Sequence, residues 1–159
     1  MKPSSVLRIQ IAGIPKPQGS KKAFSANGRA MMKEAGGLAH AAWRNAVAEA
    51  ALRAAEETRL PTPLRGPLAV SILYRFPMPA SRPKAVKEKG IFWKTTAPDV
   101  DKLDRAIGDG LMAGGLIGDD ALICVSYSRK VEIFGGWTGA LVVISELSPA
   151  DEFVEGWKT

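Results

Sequence analysis

The chain has 159 residues, a net charge of +6 and a hydrophobic content of 46%. That content excludes a disordered chain, and no apolar run reaches the ~18 residues that a transmembrane helix needs, which speaks against a membrane partner. A sequence pI of about 9.6 points toward a polyanionic partner.

Val6 to Ala12 reads as a strand, with Leu7, Ile9 and Ile11 alternating against Val6, Arg8 and Gln10. Pro15, Pro17 and Gly19 then break regular structure, and 13–37 reads as one long loop. From Met1 through Lys33 there are seven basic residues and no acidic one. Lys16, Lys21, Lys22 and Arg29, with Phe24 among them, suit an arm that contacts phosphates and stacks on a base.

Leu38 to Glu57 is the clearest helix: Trp43, Val47, Ala50, Ala51 and Ala54 form one stripe, and Glu49 and Arg53 pair outside it. His40 has no neighbouring Cys or Ser and reads as structural. A connector, 60–67, leads to a strand from Leu68 to Phe76. The segment from Pro77 to Ala97 reads as irregular and basic, with Phe92 and Trp93 beside Lys94.

An acidic knot follows. Pro98 to Asp120 holds Asp99, Asp101, Asp104, Asp109, Asp119 and Asp120, which Lys102 and Arg105 offset only to a local charge of −4. Crowded carboxylates resist joint ionisation unless a cation compensates, so the knot points to a divalent metal site. Leu103, Ile107 and Leu111 mark one helix face, with Asp101 as the expected N-cap and Gly114-Gly115 as the end. Asp99 and Asp101 then sit on a strand-to-helix corner, and Asp119 or Asp120 returns on a nearby turn. Ala121 to Ile133 and Ala140 to Leu147 read as strands joined by a turn over 134–139.

The expected order is β-α-β-α-β-β: an α+β, two-layer fold, a four-stranded mixed sheet with two main helices on one face. One domain is expected over 1–150, with a polar tail over 151–159. Met1 to Ser5 lacks a signal-peptide apolar segment, and Cys124 is expected to be a buried, inert thiol, so the expected location is cytoplasmic.

Pro98-Asp99-Val100-Asp101-Lys102-Leu103-Asp104-Arg105, followed by Gly115-Leu116-Ile117-Gly118-Asp119-Asp120, resembles the signature of the RusA-type Holliday-junction resolvases. The likeness runs without a gap from Asp99 to Asp120 and reaches Lys130, where the family often has a lysine. Gly13-Ile14-Pro15-Lys16-Pro17-Gln18-Gly19 is similar to the start of phage-type members. The resemblance implies that Asp99, Asp101 and Asp120 hold metal and that Arg105 takes the place of a functional lysine. Lys102 replaces the usual asparagine, beside two carboxylates, where it would weaken metal binding or contact DNA. Asp104 and Asp109 have no counterpart in the motif and are expected to matter little.

The implied activity is Mg²⁺-dependent hydrolysis of branched DNA by a homodimer that nicks a four-way junction symmetrically. Mg²⁺ suits an all-oxygen site, with Arg105 or Lys130 at the phosphate. An EF-hand fails because Asp104 stands where its glycine belongs, and a P-loop fails on spacing. Two other readings stay open. One makes the aspartates helix caps and turn residues; the other makes the chain a non-catalytic junction-binding protein, a decayed resolvase.

Overall fold

The computed structural model describes residues 6–19, 21–26, 29–34 and 37–147, with the backbone alone between 21 and 34. The tail expected over 151–159 lies outside them. Strand β1 (Val6–Ala12) is followed by a hairpin, β2 (Lys21–Ala26) and β3 (Arg29–Glu34), then helix α1 (Gly37–Glu57) and strand β4 (Leu68–Pro77). A short helix α2 (Lys84–Glu88) and strand β5 (Ile91–Trp93) precede helix α3 (Val100–Ala113), strand β6 (Ile123–Ile133) and strand β7 (Gly139–Glu146).

The main sheet is mixed and runs β1-β7-β4-β6-β5, with only the β4–β6 pairing parallel. It therefore has five strands where four were expected. The fifth, β5, is three residues long and lies inside a Lys- and Pro-rich segment, too short to leave a readable alternation. The stretch expected as a long loop is likewise structured: β2 and β3 pair antiparallel from Lys21↔Glu34 to Ala26↔Arg29. The signal that could have found this hairpin is Asn27-Gly28 between the strands, the dipeptide that tight hairpins favour.

Strict alternation on β4 buries Leu68, Val70, Ile72, Tyr74 and Phe76 on one face, in register with Val142 and Ile144 of β7. Onto that face pack Trp43, Val47, Ala50 and Ala51 of α1 and Leu103, Ile107 and Leu111 of α3. Each such aliphatic side chain contributes about 1.5–3 kcal/mol of burial. The two helices approach closely because α3 carries glycine where they meet. A Cβ on Gly110 would run into Val47, and one on Gly114 into Ala48 and Ala51. Both main helices lie on one face of the sheet, as the pattern of apolar residues requires.

Among the described residues, the opposite face carries no helix. It leaves Ile91, Trp93, Val125 and Tyr127 exposed, around a cavity of about 320 Å³ lined by Leu73, Trp93, Arg129 and Val131. Cys124 corrects another expectation, since it is exposed rather than buried. The register slips between Leu68↔Ile123 and Ala69↔Val125, so Cys124 is the extra residue of a bulge. Among the described residues, no helix is long and apolar enough to cross a membrane.

Candidate active site

Pro98 is half-buried, and Asp99, not Asp101, takes the N-cap position of α3, with extended dihedrals (φ −71°, ψ 144°) and no side-chain capping bond. Asp101 lies one residue inside the first turn, where its charge complements the helix dipole. Both are exposed, so neither carboxylate is consumed as a cap. Lys102 reaches back to Asp99 at 3.4 Å, a contact between two half-exposed groups that solvent screens strongly. Arg105, one turn beyond Asp101, is exposed.

The second acidic group returns beside the same helix. Asp119 accepts a 2.8 Å bond from the Ala121 amide and caps a 3-10 turn over Asp120–Leu122. That leaves Asp120 exposed, with its Cβ 3.4 Å from the point a side chain on Gly108 would occupy. Gly108 is seven residues after Asp101 and four after Asp104, on one helical stripe. Asp120 thus lies beside the stripe that begins at Asp101, at a distance where even a Cβ on Gly108 would make ordinary van der Waals contact.

Strand β6 supplies what motif reading missed. Ser126, Ser128, Lys130 and Glu132 alternate on its helix-facing side, in register with Val70, Ile72, Tyr74 and Phe76. Ser128 Oγ lies 2.8 and 2.9 Å from the two Asp104 oxygens, Ser126 Oγ lies 3.4 Å from Asp104 Oδ2, and Tyr74 donates to Oδ1 at 2.7 Å. Burial first, and then the charge and hydrogen bond of Asp104, push the Tyr74 phenol above its ordinary pKa. Asp104 thus ties α3 to two strands.

Lys130 donates to the carbonyls of Thr96 at 2.8 Å and Pro98 at 2.7 Å. Its ammonium thereby holds the segment that carries Asp99. Glu132 is fully buried and takes two bonds from Arg82, at 2.7 and 3.0 Å, with Lys94 at 4.0 Å. The Arg82 hydrogen bonds hold its carboxyl below the usual range, against the opposing effect of burial; the charges of Arg82 and Lys94 act in the same direction.

The arm between β1 and β2 is docked on α3. The Gln18 amide donates to the Lys102 carbonyl at 2.9 Å, and its side chain donates to Asp109 Oδ2 at 2.7 Å. Lys16 therefore lies on a segment fastened to the acidic helix, and Lys21, Lys22 and Arg29 follow on the hairpin, where only the backbone is described. Asp109, outside the motif, is the fastening point. Trp93 and Phe92 are exposed on the edge strand, and the Arg82 guanidinium lies 5.2 Å from the Phe92 ring centre.

The donor set suits a hard cation: three exposed carboxylates, with no Cys or His nearby in the motif. Among the described residues, however, no three acidic, His or Cys side chains are drawn together closely enough to form a ligand shell.

Fold and site define a class: a small, basic α+β protein that presents exposed aspartates at a strand-to-helix corner, beside an arm rich in Lys and Arg. The family model described as endodeoxyribonuclease RusA matches residues 12–136, and the chain belongs to that family. The match spans the docked arm, both acidic groups and β6. A search of curated proteins finds no match.

Proposed function

We propose that this protein is a Mg²⁺-dependent endonuclease that resolves four-way DNA junctions by paired, symmetric nicks. The observation that carries the reading is the family match, which includes every residue assigned here. Asp99, Asp101 and Asp120 would hold the cation. When bound, the cation would neutralise charge on the scissile phosphate and help to make a water nucleophilic.

The chain's own groups do the rest. Arg105, exposed one turn from Asp101, offers a planar fork to phosphate oxygens as charge develops in the transition state. Lys130 is a positioning residue: it fixes the Pro98 carbonyl and so the entry of Asp99. Lys102 balances Asp99 and, when a cation takes that role, becomes available to a phosphate. Lys16, Lys21, Lys22 and Arg29 bind backbone phosphates without reading bases.

Symmetric nicking needs two sites related by a two-fold axis, and each chain carries one. The helix-free sheet face, with Ile91, Trp93, Val125 and Tyr127 exposed, is the candidate seam of a homodimer. Trp137, on the turn before β7, is half-buried against Arg75, whose guanidinium lies 4.4 Å from its ring centre.

The Lys102–Asp99 contact favours the second reading, a junction-binding protein without catalysis. A synthetic mobile junction separates the two. The nuclease should release symmetric nicked duplexes only when Mg²⁺ is added; binding without any product in Mg²⁺ would leave the second reading.

A further inference from the structure

Beside the acidic corner is a cavity of about 360 Å³ to which the roles above assign no occupant. Pro15 and Pro17 of the docked arm form one wall, Ala97 and Pro98 form another, and Phe76 contributes from β4. Among the described residues its basic groups are Lys16, Lys94 and His40, and no acidic residue lines it. Lys94 is already engaged: its ammonium lies 5.0 Å from the Phe76 ring centre and 2.9 Å from Thr96 Oγ1.

Both walls are pinned. Gln18 bonds the arm to α3 through Lys102 and Asp109, while Lys130 holds the Thr96 and Pro98 carbonyls. The cavity is thus built by hydrogen bonds that span the site. Pro98, the wall residue, immediately precedes Asp99, so whatever fills the cavity is a neighbour of the acidic corner.

We propose that this cavity is a nucleotide subsite, which receives one unpaired nucleotide of a DNA strand and so draws the adjoining phosphodiester to the aspartates. The proposal rests on the DNA-cleaving reading above. Its volume is at the small end of the roughly 300–1,000 Å³ typical of ligand sites, enough for one nucleotide but not for a base pair. The rings of Pro15, Pro17 and Pro98 offer apolar surface to the faces of a base, the buried Phe76 lies beneath Lys94, and Lys16 stands beside them for the phosphate. Bases at a branch point cost the least to extrude, because their stacking is already interrupted.

The test uses the full chain and four-way junctions carrying single 2-aminopurine substitutions around the crossover, without Mg²⁺. Binding should raise the fluorescence several-fold at one position beside the branch. Ala97→Leu, which fills the cavity, should abolish the rise, and Ala97→Gly, which leaves it open, should retain it. Lys16→Met, which does not depend on how position 97 tolerates change, should reduce the rise at least threefold. A rise that survives both Ala97→Leu and Lys16→Met, or no rise at any position, overturns the subsite. Adding Mg²⁺ to the wild-type complexes tests the nuclease separately. Symmetric cuts without a rise would keep the nuclease and discard the subsite, and a rise without cuts would do the reverse.

Discussion

At Asp104 one carboxylate meets three hydroxyls, from Tyr74, Ser126 and Ser128, across two strands. Sequence patterning treated it as an acid of little consequence because its partners are distant in the chain and nothing in the local motif names them. Tyr74 is fully buried, so removing its acceptor leaves a phenol hydroxyl without a partner. Such an orphaned group costs about 1–3 kcal/mol. Asp104→Ala should therefore lower stability by about 2–3 kcal/mol in urea unfolding, while Asp104→Asn, which keeps one acceptor oxygen, should cost roughly half as much. Asp99, Asp101 and Asp120 differ: they are exposed, and it is the resemblance to the family motif that singles them out.

Strand β6 shows what periodicity conceals. Its length and position are legible, yet Ser126, Ser128, Lys130 and Glu132 break the apolar alternation that marks a buried strand face. Each instead fastens another segment: α3, the 96–98 corner, and Arg82 with Lys94. Strand β5 and the β2–β3 hairpin escaped for different reasons, one being too short and the other too mixed in polarity. By contrast, the stripes of α1 and α3 and the alternation of β4 were plain, because each buries a full apolar face. Glu132 makes the fastening testable by pH. Its folded pKa lies below its unfolded value, so its contribution is complete above the usual carboxylate pKa of about 4.3 and fades as pH falls through the folded value. Thermal melts from pH 6 downward should show an acid loss of stability that is smaller in Glu132→Gln, which is less stable than the wild type at pH 6 and approaches it in acid.

At the scale of the whole molecule, the sheet separates two unlike faces. One face holds both main helices, the core and the acidic corner; the other presents aromatic and aliphatic side chains to solvent. Charge and the knot of aspartates announced the first from sequence. The second needs the strand order, since Ile91, Val125 and Tyr127 share a face only once β5 and β6 are paired. Light scattering at micromolar concentration should give about twice the 17.0 kDa chain mass. Tyr127→Glu, which buries a charge in the proposed seam, should shift that mass toward the monomer and abolish paired nicking; a mass equal to one chain in the wild type, free and junction-bound, would remove the seam.

The central claim is that Asp99, Asp101 and Asp120 act together on a phosphodiester. It is tested most directly by measuring junction cleavage and junction binding side by side for Asp120→Asn. The variant removes one proposed metal ligand and one repelling charge, on a residue whose side chain is exposed. Cleavage in Mg²⁺ should fall by at least a hundredfold, with junction affinity equal to or tighter than that of the wild type. Cleavage by Asp120→Asn at the wild-type rate would contradict the claim.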